Sequence, residues 1–179
     1  RVTAFVRGLH QAGVGASVKH FPGLGRVRGN TDFAAGVDDT VTTATDPVLG
    51  PFSDAIAADV DSVMVATARY TRIDAGSLAA FSPQVIGILR GTLGYSGVVI
   101  SDDLGVAKAV ADVRPQDRAV RFVKAGGDLA ISVHPGVATS MVDGLVAAAE
   151  ADPAFRARLG ESATRVLALK ARRGVTTCG

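Results

Sequence analysis

Residues 97–105 read GVVISDDLG. A glycine and three apolar residues run straight into Ser101 and two adjacent carboxylates, Asp102 and Asp103. An apolar run without alternation marks a strand covered on both faces, the condition of strands in parallel sheets. Such a strand delivers whatever follows it to one end of the sheet. The pattern recurs three times. GASVKHF (15–21) leads into Pro22-Gly23, DSVMVATA (61–68) into Arg69-Tyr70, and DLAIS (128–132) into Val133-His134-Pro135-Gly136. Every run ends, at its C-terminal side, in a polar or glycine cluster.

Helix signals lie between the strands. Val2, Phe5, Val6 and Leu9 recur at i, i+3, i+4 and i+7 and predict an amphipathic helix ending near Gly13. Asp46 and Pro47 supply an N-cap and a first-turn proline for a helix with the buried stripe Leu49, Phe52 and Ile56. Gly50 and Pro51 are expected to delay its regular part. FSPQVIGILRGTLG (81–94) repeats the Ser/Pro start and ends on a glycine stop. A helix over about 115–125 separates the last two strands, and helices at about 136–150 and 153–173 close the chain.

This alternation implies a parallel sheet of right-handed βαβ units. A doubly wound sheet and a (β/α)8 barrel both fit it. Polar residues at the C-terminal end of every strand favour the barrel, where those ends converge on one mouth. Four strands cannot close a barrel of eight. The expected fold is therefore α/β, the C-terminal half of a (β/α)8 TIM barrel, with 1–179 forming a single domain fragment. The start at Arg1, within a helix and without Met, reads as a piece of a longer chain. Any targeting segment would lie upstream, which leaves both the cytoplasm and the cell envelope open.

The chain has 179 residues, 47% of them hydrophobic and 20% charged, enough to build a core. A net charge of +2 is no footprint for nucleic acid, and none is expected as a partner. Basic clusters occur at Arg26/Arg28 and at Lys170, Arg172 and Arg173, the latter suited to the dipole at a helix C-terminus. The single cysteine, Cys178, allows no internal disulfide. No apolar stretch approaches the roughly 20 residues that span a bilayer. Three histidines, at 10, 20 and 134, lack ligand spacing, so no metal and no cofactor is expected. His10 is expected to be exposed, and His134 either to border the cleft or to shape a turn. GLGRVRG (23–29) is not a GxGxxG phosphate cradle, and Ser96 sits one residue off the GxSxG pattern, before a strand rather than after it.

Two pairs at strand ends carry the candidate chemistry. Of Asp102 and Asp103, the first is expected to face the site and the second to cap or orient the segment that follows. Lys19 and His20 end the first strand, where a buried ammonium needs carboxylates or ligand hydroxyls. Successive strand residues point to opposite sides, so one of the pair is expected in the cleft and the other against the loop.

KHFPGLG (19–25), followed some eighty residues later by GVVISDDLG, resembles glycoside hydrolase family 3, and within it the bacterial β-N-acetylglucosaminidase branch. The likeness extends through AGGDLAIS and the closing RVLALKARRG, and corresponds to the second half of that family's barrel. It implies a retaining glycosidase that removes terminal N-acetylglucosamine from peptidoglycan fragments through a covalent glycosyl-enzyme. Asp102 maps to the nucleophile, and Lys19 and His20 to a clamp on sugar hydroxyls, with a glycine-rich loop free to close over the substrate. Where relatives carry Asp-Ser-His on that loop, with a His–Asp dyad as acid/base, this chain reads Asn30-Thr31-Asp32. Asp32 then becomes the candidate acid/base, Asn30 its support, and Asp38 and Asp39 outsiders. The alternatives are a family 3 β-glucosidase and a non-catalytic sugar-binding relative. Other sugar contacts in the family come from the first four strands, so the polypeptide is expected to need that missing N-terminal half and to be inactive alone.

Overall fold

The computed structural model describes residues 1–176, and Cys178 lies outside them. Helix α1 (Val2–Gln11) leads into β1 (Ser17–Phe21). After a long loop come β2 (Asp38–Asp39), a 3-10 turn at Pro47–Leu49 and α2 (Gly50–Ile56). Then follow β3 (Ser62–Val65), β4 (Arg69–Tyr70) and α3 (Pro83–Gly87), which continues as one π-helical segment, Ile88–Thr92. Strand β5 (Val98–Asp103), α4 (Pro115–Lys124), β6 (Leu129–Ile131), α5 (Pro135–Ala151) and α6 (Pro153–Arg172) complete the order.

Strands β1, β3, β5 and β6 form one parallel sheet in that order, each pair joined by a helical crossover. This is the α/β arrangement of a TIM-barrel fragment. The small parallel pair β2–β4, between the loop after β1 and the loop after β3, has no counterpart in the sequence reading. Two residues per strand carry too little periodicity to show.

Local chemistry sets the helix starts. Asp46 accepts the Val48 N–H at 2.9 Å, and Asp152 accepts from Ala154 and Phe155, each ahead of a first-turn proline. The regular helix α2 begins at Gly50 itself, because a single 3-10 turn absorbs the irregularity before it. Phe21, Val63, Val65, Val98 and Val99 are fully buried, and the Phe21 ring meets Phe52 edge-on at 5.1 Å. Helices α4 and α5 cross at Gly144, where a Cβ would stand 1.9 Å from the Gln116 carbonyl oxygen, so only glycine allows this approach.

Polar anchors tie the N-terminal ends of the strands. Asp128, fully buried, accepts from Arg90, Arg158, Arg165, Ser162 and the Val99 N–H. Asp61 accepts from Ala16 N at 2.7 Å, from His10 Nε2 at 2.9 Å and from both Nε and Nη2 of Arg173. Burial pushes the Asp61 carboxyl pKa up, but these donors outweigh it and leave a net downward shift. His10 is therefore not a free surface residue. Its polar sequence neighbours conceal that the end of α1 abuts a carboxylate in need of donors. Arg173 likewise has a carboxylate partner beyond the helix dipole.

Candidate active site

The sheet is irregular at two places, and both hold candidate residues. Between Val18 and Phe21 the register of β1 slips against β3, so that Lys19 and His20 occupy the extra position. Between Ile100 and Asp103 the register of β5 slips against β6, around Ser101 and Asp102. Bulges re-aim side chains at the rims of barrels. Lys19 and His20 both line one cavity, contrary to the expectation that alternation would send them to opposite sides. Simple alternation fails because the pair sits in the slipped register. The Lys19–His20 and Phe21–Pro22 peptides are both cis.

That cavity, about 470 Å³, is lined by Lys19, His20, Asn30, Asp32 and Asp102, with Leu24 and Val27 as its apolar part. Asp102 is held at one oxygen by the Asp103 N–H (2.9 Å), while its other oxygen, Oδ2, lies 3.8 Å from His20 Nε2. Burial lowers the His20 pKa, and the Lys19 charge adds to this while Asp102 and Asp32 oppose it; the net shift is downward, which favours neutral imidazole at pH 7. A second lobe, bounded by the same Asp32 and Asp102, is faced by Phe33, Val106, Ala107 and Val133. The two carboxylates thus stand where a polar lobe meets a more apolar one. A further cavity, bordered by Tyr95, Ser96 and Arg165, opens at the start of β5, at the other end of the strands.

Asp103 accepts from the N–H groups of Gly105, Val106, Ala107 and Val133 at 2.8–3.0 Å. Burial raises its pKa, yet these four donors hold it below the usual carboxylate range. Asn30 Oδ1 accepts the Asp32 N–H at 2.8 Å in a local turn. The glycine-rich loop is docked: Arg26 pairs with Asp46, Tyr70 Oη donates to Gly23 O, and the Thr31 and Asp32 carbonyls accept from Ala109 and Lys108. Asp38 pairs with Arg69, and Asp39 is buried under bonds from Val41 and Thr42, so neither lines the cavity. His134 Nδ1 caps the start of α5 against Val137 N, and so shapes a turn.

Sequence reasoning missed the apolar lobe and Arg118, which is buried beneath the Asp103 loop. The lobe is assembled from three separate loops and leaves no local signal. Arg118 did leave one, a guanidinium on the same stripe as Ala119, Phe122 and Val123 of α4. Among the described residues, no group of three or more His, Cys, Asp or Glu side chains is placed to hold a metal ion, and no helix is long and apolar enough to cross a membrane.

Comparison with known proteins shows the family of the chain. The chain is 40% identical over 136 residues to a β-hexosaminidase of Stenotrophomonas maltophilia, a match covering 74% of this chain and 40% of that protein. A crystal structure of a β-N-acetylhexosaminidase from Beutenbergia cavernae superposes with a TM-score of 0.92 at 46% identity, covering 94% of this chain and 51% of the other. A family 3 β-N-acetylglucosaminidase from a Paenibacillus species superposes with a TM-score of 0.86 at 34% identity, covering 99% and 34%. The chain thus spans about half or less of the length of these relatives. The family model described as the glycosyl hydrolase family 3 N-terminal domain matches residues 1–169, from Arg1 almost to the end of α6, and the chain belongs to that family.

Proposed function

We propose that this chain carries the nucleophile and the acid/base of a retaining β-N-acetylhexosaminidase, one that releases terminal N-acetylglucosamine from β-linked, peptidoglycan-derived saccharides. The observation that carries this reading is the Asp102 carboxylate, 3.8 Å from His20 and in one cavity with Lys19 and Asp32. A retaining enzyme needs two carboxyl groups about 5–5.5 Å apart across the scissile bond.

In the first step an Asp102 oxygen attacks the anomeric carbon. The bond from that carbon to the glycosidic oxygen breaks, and Asp32, in its acid form, gives its proton to the departing oxygen. In the second step water attacks the same carbon, Asp32 takes a proton from it, and the Asp102 carboxylate leaves. Lys19 donates to ring hydroxyls, and neutral His20 can donate from one ring nitrogen and accept at the other. Such bonds speed the reaction where they tighten as the ring flattens towards an oxocarbenium ion. The lobe of Phe33, Val106 and Val133 suits the leaving group, on the far side of the two carboxylates.

A second reading, sugar binding without hydrolysis, draws support from Asn30 and Asp32, which replace the Asp and His of the dyad that the sequence resembles. A fluorosugar inactivator added to the full-length protein separates the two. The expected result is covalent mass on Asp102; tight binding without an adduct favours the second reading. Asp32→Ala is expected to lose about 10²–10⁴-fold on a saccharide with a poor leaving group and far less on a dinitrophenyl glycoside. Near wild-type rates on both would remove Asp32 from the role.

A further inference from the structure

We propose that residues 104–110 form a single platform shared by the two carboxylates, and that Arg118 is the positioning residue that holds it; this rests on the roles proposed for Asp102 and Asp32. Arg118, only 6% exposed, donates from Nε to Val113 O at 2.8 Å and from Nη1 to Leu104 O and Gly105 O at 2.9 and 2.6 Å. Asp103 meanwhile accepts the N–H groups of Gly105, Val106 and Ala107. The loop directly after the Asp102 strand is therefore gripped at its carbonyls by a cation and at its N–H groups by an anion.

The other end of the platform reaches the second carboxylate. Lys108 N donates to Asp32 O, and Ala109 N to Thr31 O, both at 3.0 Å. Leu104 and Ala107 seat the segment in the core, and at Gly105 even a Cβ would meet Ser132 Oγ at 2.3 Å. The platform has no slack towards the end of β6. Hydrogen bonds thus fix the segment at both ends, to Arg118 and Asp103 at 104–107 and to the backbone of Thr31 and Asp32 at 108–109, while Asp102 lies in β5 immediately before it. A buried guanidinium is costly unless its donors are paired, and here Nε and Nη1 are used on main-chain carbonyls of one loop. Retaining chemistry gives this a purpose, because a misplacement of about 1 Å between reacting groups can cost about 10²-fold in rate.

The test uses the full-length protein and two variants. Arg118→Lys keeps a cation but replaces the planar fork by a point charge that cannot span three carbonyls. Lys108→Pro, referred to Lys108→Ala, deletes the N–H that holds Asp32. Lys108 opens a 3-10 turn after Ala107, whose ψ of 131° suits a following proline. The reading is kcat/KM across aryl N-acetylglucosaminides of increasing leaving-group pKa, normalised to the fraction titrated by a fluorosugar. Both variants are expected to stay within about 10-fold of their parents on the dinitrophenyl glycoside and to lose about 10²-fold on the phenyl glycoside, because a displaced Asp32 no longer protonates the departing oxygen. A purely structural role would lower the titrated fraction and leave the leaving-group slope unchanged. An unchanged slope in Lys108→Pro, or in a folded Arg118→Lys, overturns the inference; if Arg118→Lys does not fold, Lys108→Pro decides. Should wild type form no adduct at Asp102, or Asp32→Ala leave the slope flat, it is the proposed function that fails instead.

Discussion

Asp103 never has to touch a sugar to matter. Its four backbone donors hold the carboxyl pKa down, so the folded protein binds fewer protons here than the unfolded chain does in the acid range. Stability from this group is therefore present above the ordinary aspartate pKa and is lost as the pH falls through the lowered folded value. Asp103→Asn turns its amide towards N–H groups and forfeits charge-assisted bonds. It is expected to cost about 2–3 kcal/mol at pH 7, and progressively less as the pH falls below the ordinary aspartate pKa, in urea unfolding of the full-length protein. A penalty that does not change with pH would mean that the charge plays no part. His20 shows the same sign of dependence in a higher pH window: burial lowers its pKa, so the unfolded chain takes up a proton before the native state does, and stability from this group falls as the pH drops below the ordinary histidine value.

At the scale of elements, the contact between α4 and α5 is decided at one position. Alanine in place of Gly144 gains about 1 kcal/mol of helix propensity. Against this, overpacking costs about 1–3 kcal/mol or more, and a Cβ placed 1.9 Å from a backbone oxygen cannot be relieved by turning a side chain. The clash wins. Gly144→Ala is expected to lower the melting temperature of the full-length protein by several degrees, at about 2–4 °C per kcal/mol. A raised melting temperature would show that the helices are free to part. The helix ends themselves were legible: Asp46-Pro47, Ser82-Pro83 and Asp152-Pro153 each cap where their chemistry dictates, because capping is settled within four residues.

For the whole molecule, the sheet has two open edges, β1 and β6, and Leu129 on the latter is 42% exposed. Unpaired parallel edges invite association. We propose that further strands from the same protein close these edges into a barrel. The 179-residue chain by itself is then expected to self-associate in light scattering and to release no fluorophore from an aryl N-acetylglucosaminide, whereas the full-length protein does so. A monodisperse, active monomer would overturn this. The linear order of residues determined the four strands, their helices and the delivery of Lys19, His20 and Asp102 to strand ends, because burial on both faces and local capping are written in consecutive side chains. Only the tertiary structure decided that Lys19 and His20 enter the same cavity, that His10 and Arg173 share Asp61, and that Arg118 underlies the Asp103 loop. Those outcomes depend on a slipped register and on partners up to 112 positions apart. Hydrogen-bond partners at such separation meet only once the sheet has set the distance between them.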